Sequence, residues 1–257
     1  MTEQITDRIE IVNADCYTLL DGWPSDAALV SDPPYGIAYR HSGVNIRPIP
    51  GRKTQPRAMA RKMIHGDNKD FDPRPFLRFA TVCLWGANHF ADKLPTAASW
   101  LVWDKRDNRG QERSFGDGEI AWCNVGRSVR IFRYLWQGIC QAGEKGKKLH
   151  PNQKPLALME WVLKKAKVGK ETLVIDPFAG SGSLGIACMR MGLRYLGVEI
   201  DPDHYAVMRD RLQREARQPE LFPPSCDMAD TGKSDCRDGS LDLPFETHER
   251  GRCDAQE

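Results

Sequence analysis

The sequence has no hydrophobic segment long enough to cross a membrane. A membrane-spanning helix needs about 20 predominantly apolar residues in a row, and no run in the 257 residues approaches that length. The first residues, Met1–Gln4, have neither the basic nor the apolar region of a secretion signal. We therefore expect a cytoplasmic protein with no membrane contact.

The sequence also lacks closely paired cysteines. None of its eight cysteines belongs to a Cys-x-x-Cys pair, whereas structural zinc sites usually contain such pairs. Most of them lie in apolar segments, where a free thiol packs as a small hydrophobic side chain. The sequence therefore predicts reduced cysteines and no metal site.

The net charge is only +2, but the charge is unevenly distributed. Lys and Arg outnumber Asp and Glu by eight to two in residues 35–70, and by eleven to five in residues 105–154. Residues 218–257 have ten acidic residues, four basic ones and few apolar groups. Basic segments attract polyanions, although solvated loops often have the same composition. For residues 218–257 this composition predicts a disordered acidic tail.

Apolar segments separated by turn residues predict an α/β domain over residues 1–217. Strands are expected at residues 9–14, 27–30, 76–85, 99–103, 119–125, 129–136, 172–175 and 195–198, with helices between some of those from 76 to 136. Further helices are expected at 155–167, 183–191 and 202–217. The last strand–helix–strand unit spans about thirty residues, as in a parallel sheet.

A glycine-containing turn, Asp176-Pro177-Phe178-Ala179-Gly180-Ser181-Gly182, follows the strand at 172–175. It is neither the Gly-x-Gly-x-x-Gly of a dinucleotide site nor a Gly-Lys-Ser/Thr phosphate loop. Glu199, about twenty residues later, can accept hydrogen bonds from ribose hydroxyls, and Asp176 can pair with a cationic amino group. A ribose joined to an amino-acid cation describes S-adenosylmethionine. A tight strand-to-helix turn without a ligand is the alternative.

The sequence Asp32-Pro33-Pro34-Tyr35 follows another predicted strand, so we expect it at the carboxyl edge of the sheet. The amino nitrogen of adenine is a poor nucleophile, because its lone pair is delocalised into the ring. The Asp32 carboxylate and the Pro33 carbonyl can accept the two amino protons, and the proline rings hold that carbonyl rigidly. Tyr35 offers a flat face to a base swung out of the helix. A simple turn is the alternative, since Asp and Pro are turn formers.

Three motifs, in this order, resemble those of the DNA amino-methyltransferases. They are Asp32–Tyr35, then His150-Pro151-Asn152-Gln153-Lys154-Pro155, then Asp176–Gly182. Because the catalytic motif precedes the cofactor turn, residues 8–217 are similar to the beta class of this family. The resemblance implies an α/β fold: a Rossmann-like, circularly permuted sheet with helices on both faces, which binds S-adenosylmethionine.

The resemblance also implies roles for individual residues. The catalytic residues are Asp32, Pro33, Pro34 and Tyr35, and the cofactor-binding residues are Asp15, Gln153, Lys154, Asp176, Phe178, Gly180, Gly182 and Glu199. Asp15 matches an acidic position near the cofactor adenine, and Phe178 matches the aromatic side of the cofactor pocket. Gln153 and Lys154 belong to a segment that helps to bind the amino-acid part, in which Asn152 stands where threonine is common.

The predicted activity is methylation of the N6 amino group of adenine in duplex DNA, as in restriction–modification systems. Methylation of cytosine N4 is the nearest alternative, although Asp at the first position of the catalytic motif favours adenine. A carbon-5 cytosine enzyme would need a cysteine, commonly after a proline, and the chain has no Pro-Cys pair. A catalytically silent nucleic-acid-binding module would show damaged motifs, and RNA or protein methyltransferases usually place the catalytic motif after the cofactor turn.

The basic segments, about residues 40–70 and 106–148, are the candidate target-recognition loops, because Arg and Lys can contact phosphates and guanine edges. These segments offer little chain for reading DNA bases, so we expect either a short target sequence or help from a second subunit. A homodimer is one hypothesis. Gln218-Pro219-Glu220-Leu221-Phe222 resembles the short peptide that docks on the bacterial sliding clamp.

Overall fold

A nine-stranded mixed sheet forms the centre of the molecule, for which a computed structural model describes residues 1–37, 65–96, 99–106, 116–137, 140–141 and 154–218. In chain order the strands are β1 (Thr2–Gln4), β2 (Ile9–Asn13), β3 (Ala28–Ser31), β4 (Thr81–Trp85), β5 (Ser99–Asp104), β6 (Gly118–Cys123), β7 (Arg130–Arg133), β8 (Trp136–Gln137), β9 (Cys140–Gln141), β10 (Leu173–Asp176) and β11 (Arg194–Glu199). The α-helices are α1 (Leu156–Lys165), α2 (Ser183–Arg190) and α3 (Pro202–Ala216).

The strand order in the large sheet is β1-β2-β11-β10-β3-β4-β6-β5-β7, and β8 and β9 pair separately. The five strands β2, β11, β10, β3 and β4 are parallel to one another. The chain leaves β10, passes through α2 and adds β11 on the side of β10 away from β3. After β3 the chain adds β4 on the opposite side, away from β10. The direction of winding therefore changes between β10 and β3. Strands from the two ends of the domain meet there, which confirms the predicted permuted α/β fold.

Helical segments cover both faces of the sheet, as predicted, but they differ in kind. On one face α1, α2 and α3 pack against a core that includes Ile11, Val174 and Tyr195. On the other face, within the described residues, short 3-10 helices and loops cover strand residues such as Leu29 and Ile175. Most predicted elements agree with the structure to within a few residues at their ends. The predicted strand at 76–85 is instead a 3-10 helix that ends at Phe76, followed by β4, and the one at 129–136 is divided into β7 and the start of β8. The strands β1 and β9 were not predicted.

The helix α3 begins directly after the short connection from β11, because a residue of that connection caps the helix. The Asp201 side chain accepts hydrogen bonds from the backbone N–H groups of Asp203 and His204, as an N-terminal helix cap does. Pro202 occupies the first turn, where its missing N–H costs nothing. This cap fixes the end of β11, and with it Glu199, at the carboxyl edge of the sheet.

Several sequence predictions concern residues outside the described ranges. These are Gln153, positions 219–222 of the clamp-like motif, the acidic segment, and most of the two basic segments. The homodimer and the clamp contact therefore stay predictions from the sequence. Among the described residues, no helix combines the length and the apolar character that a membrane crossing requires.

Candidate active site

The predicted site residues gather where the carboxyl ends of four parallel strands meet. Asp15 lies just beyond β2, Asp32 follows β3, Asp176 ends β10 and Glu199 ends β11. Ligands of open α/β sheets bind at this edge, beside the point where the winding changes direction. That point lies between β10 and β3, so Asp32 and Asp176 flank it.

The turn after β10 is hydrogen-bonded to β11. The backbone N–H of Gly180 donates to Glu199 Oε2 at 2.8 Å, and that of Ala179 donates to the Val198 carbonyl at 2.9 Å. Gly182 has a φ of 75°, and a Cβ there would lie 2.7 Å from Met208 Cγ. Glycine is therefore required both by the left-handed backbone and by the contact with α3.

Glu199 and Asp15 form the acidic side of this edge. The second Glu199 oxygen, Oε1, accepts the N–H of Asp201 at 2.8 Å, and burial raises the pKa of the carboxyl. Asp15 is exposed and accepts the N–H of Tyr17 at 3.0 Å. The N–H of Ala14 donates to the Glu199 carbonyl at 3.2 Å, so the two acidic residues lie on adjoining strand ends.

Asp176 is a buried carboxyl group with neutral hydrogen-bond donors. Its Oδ1 atom accepts the Ser31 hydroxyl at 2.5 Å and the N–H of Phe178 at 3.3 Å, and the residue is only 5% exposed. Burial raises its pKa to about 7, and the negative charges of Asp32 and Glu199 add to this effect. A cationic ligand group beside Asp176 would favour the ionised form.

The Asp32 carboxylate is held by groups from two other parts of the chain. Its Oδ2 atom accepts a hydrogen bond from Lys154 Nζ at 2.6 Å, and its Oδ1 atom accepts the Tyr35 hydroxyl. Lys154 immediately precedes Pro155 and α1. Burial disfavours the charge of Lys154, but the nearby carboxylates of Asp32 and Glu119 outweigh it and raise the pKa of the ammonium group.

The Tyr35 ring is packed against the turn that follows β4. It stacks on the His89 ring, with centroids 4.8 Å apart and planes 15° from parallel. It also lies directly over the Cα of Gly86. The backbone N–H groups of Tyr35 and Gly36 both donate to Asp67 Oδ1 at 3.0 Å. The Asp32–Tyr35 segment is therefore held both at the Tyr35 side chain and at the backbone.

A second carboxylate stands behind Lys154. Glu119, near the start of β6, forms an ion pair with Lys154 through Oε2 at 2.8 Å, and its Oε1 atom accepts a hydrogen bond from Lys105. Burial disfavours the charge of Glu119, but the two lysines prevail and lower its pKa to about 2.

The structure brings most of the predicted residues together, with some differences in position. Lys154, predicted to lie with the cofactor, places its ammonium group on Asp32. Phe178 packs edge-on against Phe71 and Phe76. Ser31, Asp67, Lys105 and Glu119 were not among the predicted site residues, although an acidic residue at the start of an apolar strand segment is a signal that could have indicated Glu119.

We expect Gly86→Ala to lower the free energy of unfolding. The added Cβ would lie 1.9 Å from Tyr35 Cε1, and the φ of 68° is unfavourable for alanine. Gly192→Ala is the matched control, because Gly192 has a φ of 65° and nothing within 4 Å of its added Cβ. Urea unfolding should show a loss about 1–3 kcal/mol larger for Gly86→Ala, the usual cost of overpacking. Equal losses would contradict the packing of Tyr35 against this turn.

Comparisons with known proteins concern the family and the fold. A family model described as DNA methylase, of the N6/N4 type, matches residues 102–210. The type II methyltransferase M2.DpnII of Streptococcus pneumoniae is 26% identical over 116 residues, which are 45% of this chain and 42% of the relative. The chain thus spans less than half the length of this relative.

One solved structure is similar in fold, and a second aligns less closely. PvuII DNA methyltransferase, described as cytosine-N4-specific, aligns with a TM-score of 0.51 and 13% identity, over 83% of this chain and 87% of that one. At this identity the likeness concerns the fold alone. The complex of M1.HpyAVI with SAM aligns with a TM-score of 0.46 and 19% identity, over 78% of this chain and 98% of that one.

Proposed function

Because the chain belongs to the N6/N4 DNA methylase family, we propose that its site transfers a methyl group from S-adenosylmethionine to an exocyclic amino nitrogen of a DNA base. The N6 atom of adenine is the proposed target. The catalytic residues are Asp32, Pro33, Pro34 and Tyr35, and the cofactor lies along the turn from Asp176 to Gly182.

One observation carries the proposal: the catalytic strip, Asp32–Tyr35, and the glycine turn, Asp176–Gly182, are joined where the winding changes direction between β3 and β10. Ser31, the residue before Asp32, donates its hydroxyl hydrogen bond to Asp176 at 2.5 Å. The two motifs are 145 residues apart in sequence at this contact, yet they share one hydrogen bond. A methyl donor on the turn would therefore lie beside a base on the strip.

The residues around the turn suit the chemical groups of S-adenosylmethionine. Asp176 has a raised pKa that a cation would lower again, which fits the positively charged donor. Glu199 lies on the next strand end and retains further lone pairs for ribose hydroxyls. A Cβ on Gly180 would have only the Phe178 carbonyl oxygen within reach, at 4.0 Å, so a ligand can approach the backbone of the turn there. When bound, S-adenosylmethionine supplies an electrophilic methyl group whose sulfonium sulfur leaves as a neutral thioether.

The chain's own residues prepare the amino nitrogen to accept that methyl group. The Asp32 carboxylate and the Pro33 carbonyl accept its two N–H groups, which favours a tetrahedral nitrogen with a free lone pair. The new N–C bond forms as the S–C bond breaks, and the nitrogen then loses one proton. Since no covalent enzyme intermediate is needed, rate enhancement comes from positioning and electrostatics.

Tyr35 must turn to serve as the stacking surface for a base. Its hydroxyl donates to Asp32 and its ring is stacked on His89. An incoming amino group would replace the tyrosine hydroxyl as the hydrogen-bond donor to Asp32. This exchange keeps the Asp32 oxygen hydrogen-bonded before and after the base enters.

We expect the full chain to place label from methyl-labelled S-adenosylmethionine on adenine N6 of duplex DNA. The substrate is an unmethylated, PCR-amplified duplex of random sequence, and the product is digested and separated as nucleosides. If the label were found in N4-methylcytosine, the target base would be cytosine and not adenine. Label found only in added RNA or protein, or in no product, would contradict the proposed function.

A further inference from the structure

We propose that Glu119 is a positioning residue for the methyl transfer: acting through Lys154, it sets the orientation and the acceptor strength of the Asp32 carboxylate. This inference rests on the proposed function. Glu119 lies in strand β6, which belongs to none of the three sequence motifs, so the inference extends the active site beyond them.

Lys154 is gripped from two sides. Its Nζ atom lies 2.6 Å from Asp32 Oδ2 and 2.8 Å from Glu119 Oε2, and its side chain is only 9% exposed. The ring of Trp85 lies alongside, with its centroid 5.6 Å from Nζ. A lysine side chain is flexible and its ammonium group can rotate freely. The two carboxylates and the Trp85 ring restrict the movement of the side chain and the rotation of its ammonium group. The ammonium group therefore holds one Asp32 oxygen in a single position.

The position of Glu119 follows from the pairing of β5 with β6. In this antiparallel pair Glu119 stands opposite Trp103, and Asp104 stands opposite Gly118. Lys105, the next residue after β5, donates its N–H to the Asp117 carbonyl at 2.9 Å and its side chain to Glu119. Glu119 therefore has a fixed backbone and a cation on each carboxylate oxygen.

Glu119 also limits how far Lys154 neutralises Asp32. The charge of an ammonium group that is paired with two carboxylates neutralises each of them less fully, so Asp32 keeps more of its strength as an acceptor. Charges alternate along the chain of contacts from Lys105 through Glu119 and Lys154 to Asp32, and they sum to zero. The network, of which only Lys154 is fully buried, is thus neutral overall, while Asp32 at its end remains an anionic acceptor.

Stability alone is a poor reason for such a network. Desolvation of buried ions offsets much of their attraction, and well-packed apolar residues are often at least as stabilising. An ammonium group that touches the proposed catalytic carboxylate instead points to a role in the reaction. That role can be separated from a structural one, because positioning alters the chemical step more than it alters binding.

The test compares Glu119→Gln with wild type in single-turnover methyl transfer to the same random duplex. Glutamine keeps the shape of Glu119 but removes its charge. We expect the transfer rate at saturating substrate to fall about 10- to 100-fold, with the Kd values for S-adenosylmethionine and for DNA changing by less than about threefold. Glu171→Gln is the control, because Glu171 is 78% exposed and pairs only at the surface with Arg8; its rate should equal that of wild type.

A double-mutant cycle tests whether Glu119 acts through Lys154. In a Lys154→Gln background, adding Glu119→Gln should lower the rate by less than about threefold, because the link is already broken. If the two losses multiply, Glu119 does not act through Lys154 and the inference is wrong. If Glu119→Gln does not fold, Lys105→Gln decides in the same assay: a slower rate with unchanged Kd values supports the network, and a wild-type rate rejects it.

The outcomes also separate this inference from the proposed function. An active wild type with Glu119→Gln as fast as Glu171→Gln would reject the positioning role alone. A wild type that labels no DNA nucleoside would reject the proposed function and this inference with it.

Discussion

Asp32→Ala is expected to lower the methyl-transfer rate about a thousandfold or more while S-adenosylmethionine still binds. A preorganised group aimed at the reacting atoms commonly contributes 10²- to 10³-fold (roughly 3–4 kcal/mol), and here the lost group also orients the amino nitrogen. The Asp176–Gly182 turn has its own hydrogen bonds to β11, so the Kd for the cofactor should change by less than about threefold.

The control for Asp32→Ala is Asp210→Ala, which removes a carboxylate that is 56% exposed on α3. Single-turnover transfer and equilibrium dialysis with labelled cofactor measure the two quantities separately. If Asp32→Ala retained wild-type transfer, Asp32 would have no part in the reaction. If it lost cofactor binding as well, the separation of the two motifs into catalytic and cofactor roles would be wrong.

Asp176→Asn is expected to stabilise the ligand-free protein and to weaken its binding of S-adenosylmethionine. Burial raises the pKa of Asp176 in the folded protein to about 7, against an ordinary value of 3.8. Between these two values the unfolded chain has already lost the proton that the folded protein keeps, so the free energy of unfolding falls as the pH rises through this window. Above pH 7 the cost is complete, on the order of 4 kcal/mol at about 1.4 kcal/mol per pKa unit.

Asparagine removes this cost because it cannot ionise, and its amide oxygen can still accept from Ser31 and Phe178. Urea unfolding should therefore show a gain of a few kcal/mol for Asp176→Asn at pH 8, shrinking towards zero near pH 4. Asp210→Asn is the surface control. A gain of the same size at both pH values would mean that Asp176 is not protonated in the folded protein.

The affinity for S-adenosylmethionine should change in the opposite direction. A cation binds the ionised form of Asp176, so the wild-type affinity should rise with pH up to about 7 and then level off. In Asp176→Asn the affinity should be independent of pH in this range and about 10- to 100-fold weaker at pH 8, the usual value of a hydrogen bond to a charged group. Equal affinities of both proteins at pH 8 would place the cationic part of the cofactor elsewhere.

Local sequence signals were enough to locate the two motifs and their strands. A strand that ends at Asp32 or at Asp176 can be read from an apolar run followed by proline or glycine residues, because these residues stop a strand. Their meeting at one edge follows from the rule that ligands bind beyond the carboxyl ends of parallel strands. These features depend on short stretches of chain.

The contacts of Lys154 could not be predicted in the same way. They depend on the register of β5 and β6 and on the approach of the segment before α1, which lies 122 residues after Asp32. The strand β1 was missed because it is three residues long, polar and at the edge of the sheet. The kind of helix on each face was missed because apolar segments alone do not distinguish 3-10 turns from loops.

The pairing of β3 with β10 has a consequence for synthesis on the ribosome. Ala28 cannot find its partner Val174 until the chain has grown by almost 150 residues, so one edge of β3 stays unpaired for most of translation. Such an edge can pair with other chains, and contacts this distant in sequence form slowly. The incomplete chain is therefore the form most exposed to aggregation, and Asp32 comes to lie beside the Asp176–Gly182 turn only once β3 and β10 have paired.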